Sequence, residues 1–208
     1  NILSKKSTGP NRHHFFNVKK TSVVTHVKLN IFPDGGIARL RLFGELENIK
    51  FGKKTINLTS VLNGSVPIAC NNEHFGRAEN VLAPGQGKNM GDGWETRRSR
   101  GKNFDWLIIK CAAPAKINKI QIDTHHFKGN FPDQCSIQAA YIEGKISLNK
   151  IINKSKSWKL LLNKSKLKAH KKHSFLNKLM KKNKVNYLKI NIFPDGGISR
   201  IRVFGKAD

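Results

Sequence analysis

Two polar segments hold side chains whose types and spacing could do chemistry. The first, residues 77–100 (RAENVLAPGQGKNMGDGWETRRSR), gathers Asp92, Trp94, Glu95, Arg97 and Arg98 around a run rich in glycine. A carboxylate in such a setting can give or take a proton. A guanidinium can grip a small carboxylate with two parallel hydrogen bonds. The same charges could equally form a salt-bridge network at the rim of a β-sandwich, and composition does not choose between these readings. The second segment, residues 122–134 (IDTHHFKGNFPDQ), offers Asp123, His125 and His126 as metal ligands or acid–base groups. Neighbours on a strand point to opposite faces, so at most one of the two histidines is expected to face a given pocket. Gly85-Gln86-Gly87 has neither the spacing of a dinucleotide fingerprint nor the Lys-Ser/Thr pair of a phosphate loop. Cys70, Cys111 and Cys135 are odd in number and show no CxxC spacing, which reads as reduced thiols inside a cell rather than a disulfide frame or zinc site.

The elements that must position these groups read as short strands. Residues 25–31 alternate, with Val27, Leu29 and Ile31 opposite Lys28 and Asn30. Pro33-Asp34-Gly35-Gly36 then breaks the run: proline presets φ, aspartate bonds its own backbone and glycine accepts positive φ. Residues 37–43 alternate again, with Arg39 and Arg41 opposite Leu40 and Leu42. Further strands are expected at 106–111, 119–124 and 136–141, separated by turns at Ala113-Pro114 and Asn130-Phe131-Pro132. Segment 77–100 reads as largely loop. Short strands at near-regular spacing indicate a sandwich or jelly roll.

The strand–turn–strand phrase occurs twice. Residues 27–44 read VKLNIFPDGGIARLRLFG and residues 188–205 read LKINIFPDGGISRIRVFG, 161 positions later and identical at 13 of 18. A repeat of this size is a domain, not a solenoid unit of ~20–50 residues. The first copy has only 26 residues ahead of it. The expected division is therefore 1–44 as the closing part of a first repeat and 45–208 as a second repeat. The chain opens on Asn1 rather than Met, which reads as a start lying upstream.

The net charge of +26 suggests polyanion binding, but its distribution points elsewhere. Residues 144–194 contain 15 lysines, no arginine and no acidic residue. This stretch is expected to be a solvated, low-complexity insert at 145–185, partly helical within 157–184 where Leu160, Leu161, Leu162 and Leu167 cluster. A nucleic-acid reader would mix arginine with interleaved aromatics, so no specific nucleic acid is expected. No run of 18 apolar residues exists, so no membrane helix is expected.

The segments 77–100, 104–144 (FDWLIIKCAAPAKINKIQIDTHHFKGNFPDQCSIQAAYIEG) and 191–205 (NIFPDGGISRIRVFG), in this order and approximate spacing, resemble allantoicase. That resemblance implies an all-β fold of jelly-roll β-sandwiches similar to galactose-binding domains. It also implies an amidinohydrolase of purine breakdown, splitting allantoate with water into ureidoglycolate and urea. Allantoate carries a carboxylate and two neutral ureido groups on one carbon. Such a substrate needs a cation for the carboxylate and an acid–base group for water and the departing urea. Within the family-like segments, Glu79, Asp92, Glu95, Asp123 and His126 are the acid–base candidates, and Arg97, Arg98, Asn130 and Arg200 the substrate binders. His126 is preferred to His125, which falls where the family varies. No residue is assigned as a metal ligand; the sequence requires no cofactor, and a divalent metal is compatible with it. A homo-oligomer is expected. The alternative is a non-catalytic or impaired jelly-roll module derived from a shortened enzyme.

Overall fold

The computed structural model describes the chain except residues 20, 25, 45, 46, 48–50, 53, 100–102, 181–183 and 208. Thr25, where the first strand is expected to begin, lies outside the described residues. The chain divides into two units, Asn1–Asn48 and Ile49–Asp208.

Among its described residues the second unit has ten strands and one α-helix. In chain order these are β1 (Thr55–Asn57), β2 (Val66–Cys70), β3 (Trp94–Glu95), β4 (Asp105–Asp123), β5 (Gln134–Ala140), α1 (Leu148–Ser155), β6 (Lys159–Lys166), β7 (Lys172–Phe175), β8 (Val185–Phe193), β9 (Gly197–Ile198) and β10 (Arg200–Ala207). Eight strands run in the order β1-β10-β4-β8-β5-β6, with β2 and β7 also on β4, and β3 pairs with β9 separately. All the pairings are antiparallel.

β4 joins the two faces of the sandwich. Its first half pairs with β2 and β8, and its second half with β10 and β7. The expected turn at Ala113-Pro114 does not end the strand. Register instead slips between Lys110 and Ala115, so Pro114 sits in a bulge where β8 asks for no N–H from it. Period-two alternation then sorts the side chains. Leu107, Ile109, Ile120, Ile122, Ile137, Leu188, Ile190, Ile201 and Val203 enter one buried core. Ile108, Trp158 and Tyr187 form a second cluster with Ile151 of α1.

The lysine-rich region differs from expectation. Leu148–Ser155 is helical, whereas Lys159–Lys166, expected to favour helix, is a strand paired with β5. Three consecutive leucines fit neither a helical stripe nor plain alternation. A bulge at Leu161 resolves the conflict, turning both Leu161 and Leu162 inward while Leu160 stays exposed. The lysines lie mostly on the outer side of elements whose apolar residues belong to the core.

The two copies of the repeated phrase fold differently. Both have a cis Phe–Pro bond and a glycine at φ near +130°, at Gly35 and Gly196. In the second copy the flanking residues form β8 and β10, each held by other strands. In the first copy the expected strands are absent among the described residues, which are all exposed. A two-stranded hairpin without a sheet or helix to cover it is marginal in water.

Candidate functional site

The site grows from the turn that ends β4. Thr124 accepts a bond at its carbonyl from the Phe127 amide (3.0 Å) and closes the turn. His126 takes a left-handed φ of 72°. The expectation that His125 and His126 point to opposite faces therefore fails: the strand stops at Asp123, and the two rings touch with centroids 4.1 Å apart. Thr124 also pulls in the lysine-rich segment. Its hydroxyl donates to the Lys168 carbonyl (2.6 Å) and accepts from the Lys171 amide (3.0 Å). The His170 amide donates to the Phe127 carbonyl (3.0 Å). This delivers His170 beside His125, centroids 4.2 Å apart.

The second copy of NIFPDGG anchors the opposite wall. Gly196 exchanges backbone and hydroxyl bonds with Thr96, and the Gly197 amide donates to the Asn130 carbonyl (2.8 Å). A side chain at Gly196 would press on the Asn130 carbonyl (2.7 Å), and one at Gly197 would overlap the buried Phe127 ring. The paired glycines thus let three loops meet. Asn130 Nδ2 in turn donates to the Glu95 carboxylate.

These loops border a shallow, open cleft of about 470 Å³ lined by Asn89, Met90, His126, Lys128, Gly129, Asn130 and His170. Its size lies in the ~300–1,000 Å³ range of small-molecule sites. His126 Nε2 lies 2.9 Å from the Gly87 carbonyl. A carbonyl can only accept, so Nε2 carries a proton, and in the neutral ring the lone pair is on Nδ1.

The sequence candidates separate cleanly. Among the acid–base group, His126 lines the cleft, and Glu95 stands behind Asn130. Asp123 is buried beneath, accepting the His125 amide (3.0 Å). Asp92 accepts from the Lys88 amide and from Arg200 Nη2, each at 3.0 Å. Burial would raise the Asp92 pKa, but the Lys88 amide and the Arg200 guanidinium outweigh it and lower the pKa below its ordinary value. Glu79 is exposed on a 3-10 turn, Ala78–Leu82, away from the cleft lining. Of the substrate-binding candidates, Asn130 lines the cleft, whereas Arg97 and Arg98 are exposed and do not. Arg200 is only 4% exposed, and its Nη1 donates to the carbonyls of Asp92 and Ser199. With Arg202, whose Nη1 and Nη2 donate to the carbonyls of Val81, Ala83 and Gly85, it pins the 77–93 segment to β10.

Lys128, Asn89, Met90 and His170 are lining residues that sequence reasoning missed. Lys128 and Asn89 sat inside the singled-out segments, where proximity to His126 and Asp92 was their only signal. His170 had none, since it lies in the lysine-rich stretch. Cys111 and Cys135 are pushed up to about 12, and Cys70 to about 11, chiefly by burial, so none is a poised thiolate. Among the described residues no helix is long and apolar enough to cross a membrane.

The fold is that of the galactose-binding-like jelly rolls. It is similar to a fucolectin from striped bass (Morone saxatilis) serum, with a TM-score of 0.51 at 12% identity over 71% of this chain and 47% of that one. Sequence comparison over the whole chain defines the family more sharply. The allantoicase repeat model matches residues 1–47 and 56–208, and the chain belongs to the allantoicase family. A probable allantoicase of Photobacterium profundum is 45% identical over 208 residues, 98% of this chain and 62% of that protein. The crystal structure of allantoicase from Saccharomyces cerevisiae superposes with a TM-score of 0.63 at 38% identity, covering 73% of this chain and 43% of that one. The chain thus spans less than two thirds of the length of these relatives.

Proposed function

We propose that this chain hydrolyses allantoate to ureidoglycolate and urea. The observation that carries the reading is the convergence of His126, Asn130 and Lys128 on one cleft in a chain of the allantoicase family. The Lys128 ammonium pairs with the substrate carboxylate. Asn130 has committed its Nδ2 to Glu95, so its Oδ1 is left to accept a ureido N–H. His126 Nδ1 takes a proton from water as the oxygen attacks the central carbon. The C–N bond to one ureido group breaks, and the imidazolium returns the proton to the departing urea nitrogen. Glu95 and the Asp92–Arg200 pair are positioning residues in this scheme, holding Asn130 and the 87–93 loop.

The proposal also covers setting and assembly. Three free cysteines suit an intracellular enzyme. A chain carrying one strand-built repeat suits assembly into a closed homo-oligomer. The test incubates the protein with allantoate and measures urea and ureidoglycolate together. His126→Ala should lower the rate by ~10²–10⁴-fold, the usual weight of one acid–base group. Glu95→Gln should act more on KM than on kcat. A well-folded sample that forms neither product above background would overturn the reading.

A further inference from the structure

We infer that His125, His126 and His170 form a binding site for one divalent transition-metal ion at the edge of the cleft. Each offers a ring nitrogen, and the three donor atoms lie within 4.8 Å of one another. That spread is close enough for one ion at ~2.0–2.1 Å from each nitrogen after small side-chain rotations. The three side chains come from two segments tied together by Thr124, so the site is assembled by tertiary structure.

The hydrogen bonds favour metal over a mere histidine stack. His126 donates Nε2–H to the Gly87 carbonyl. This is the outer contact that ligating histidines ordinarily make, and it leaves Nδ1 as the nitrogen able to take an ion. His125 packs against both partners, its ring centroid 4.1 Å from that of His126 and 4.2 Å from that of His170. His170 Nδ1 accepts the His126 amide (3.0 Å). Its other nitrogen therefore carries the proton, and an entering ion must displace that amide or shift that proton. His170 is exposed, which allows the ring to turn.

An all-imidazole set selects borderline ions such as Zn²⁺, Ni²⁺ or Co²⁺ over Mg²⁺ or Ca²⁺. Three protein ligands leave a position open toward the cleft. Lys128 and Lys172 border the site and oppose an added cation, whereas Asp123 beside His125 favours one, so the imidazoles themselves must provide most of the affinity. The inference shares His126 with the proposed hydrolase site: an ion on Nδ1 occupies the lone pair that would accept the proton there, so the two roles exclude each other and bound metal should slow hydrolysis, whereas metal binding itself does not depend on allantoate being the substrate.

The test uses the metal alone. Untagged protein is titrated with Co²⁺ while visible absorption and calorimetric heat are followed. One equivalent should bind, giving d–d bands. His170→Ala and His125→Ala should each weaken binding at least tenfold, whereas His74→Ala should leave it unchanged. Paramagnetic broadening of histidine ring signals in the unaltered protein provides a reading that needs no variant, and it should centre on residues 125, 126 and 170. Absence of saturable binding, undiminished binding in His170→Ala, or broadening centred on His13 and His14 would each overturn the inference, whatever the outcome with allantoate.

Discussion

Replacing Gly197 by alanine tests whether the second glycine of the repeated phrase exists to admit Phe127. The φ of Gly197 lies outside the left-handed region, so backbone strain plays no part. The added methyl would overlap the ring of Phe127, which is 0% exposed and also faces Gly93. Overpacking a rigid buried ring costs ~1–3 kcal/mol, and the depth of the overlap points to the upper end. At ~2–4 °C per kcal/mol for a chain of this size, Tm should fall by roughly 6–12 °C. Phe127→Ala alone should cost about 3–5 kcal/mol. In that background the methyl has room, so Gly197→Ala should then cost less than about 1 kcal/mol, a coupling of ~2 kcal/mol in the double-mutant cycle. The first copy of the phrase supplies an internal control. Gly36 occupies the matching position, and a methyl there meets nothing within 4 Å. Gly36→Ala should be neutral or slightly stabilising, by at most ~1 kcal/mol through the unfolded chain. Thermal and urea unfolding of the four variants would decide. Additive costs at 127 and 197, or equal losses from Gly36→Ala and Gly197→Ala, would refute the reasoning.

Three further outcomes are expected. Arg202→Met leaves the Val81, Ala83 and Gly85 carbonyls without their donor and should cost ~2–4 kcal/mol, seen as a lower urea midpoint and faster proteolysis within 77–93. His125 and His173 both titrate below 6.5 in the folded protein, burial being the largest cause for each. As pH falls through 6.5 the unfolded chain therefore takes protons first, and stability should drop between pH 7 and 5, with His125→Gln flattening the slope; a midpoint that holds or rises over that window would contradict this. Cys111 and Cys135, held near 12 by burial, should resist alkylation at pH 8 until the protein unfolds, with Cys70 slow, as mass spectrometry of labelled peptides would show.

Much of the architecture was legible in local pattern. Alternation marked β4, β5, β8 and β10, because one inward face leaves a period of two in the residues. The same pattern misled at 106–124, where Ala113-Pro114 looks like a turn but fits a bulge in one long strand. It also misled at Leu160-Leu161-Leu162, whose inward pair depends on a bulge against β5. Segments 77–100 and 122–134 did hold most of the cleft's lining. Which member of each segment reaches it was not legible. Asp92, Glu95, Arg97, Arg98 and Arg200 look interchangeable as charges, and only the packing makes Arg200 a buried anchor and leaves Arg97 exposed.

The sequence by itself determined the repeat, the turn chemistry of NIFPDGG and the family. These rest on residue identity and on interactions within a few positions, which travel with the residues wherever they are placed. Gly35 and Gly196 share one backbone geometry for that reason. The tertiary structure decided whether the flanking residues became strands, since β8 and β10 form only where β1, β4 and β5 supply partners. It also decided the site. His126 and His170 are 44 residues apart in the chain, and Glu95 and Asn130 are 35 apart. No local rule encodes such meetings; they follow from loops held together by a buried phenylalanine and two glycines that leave it room.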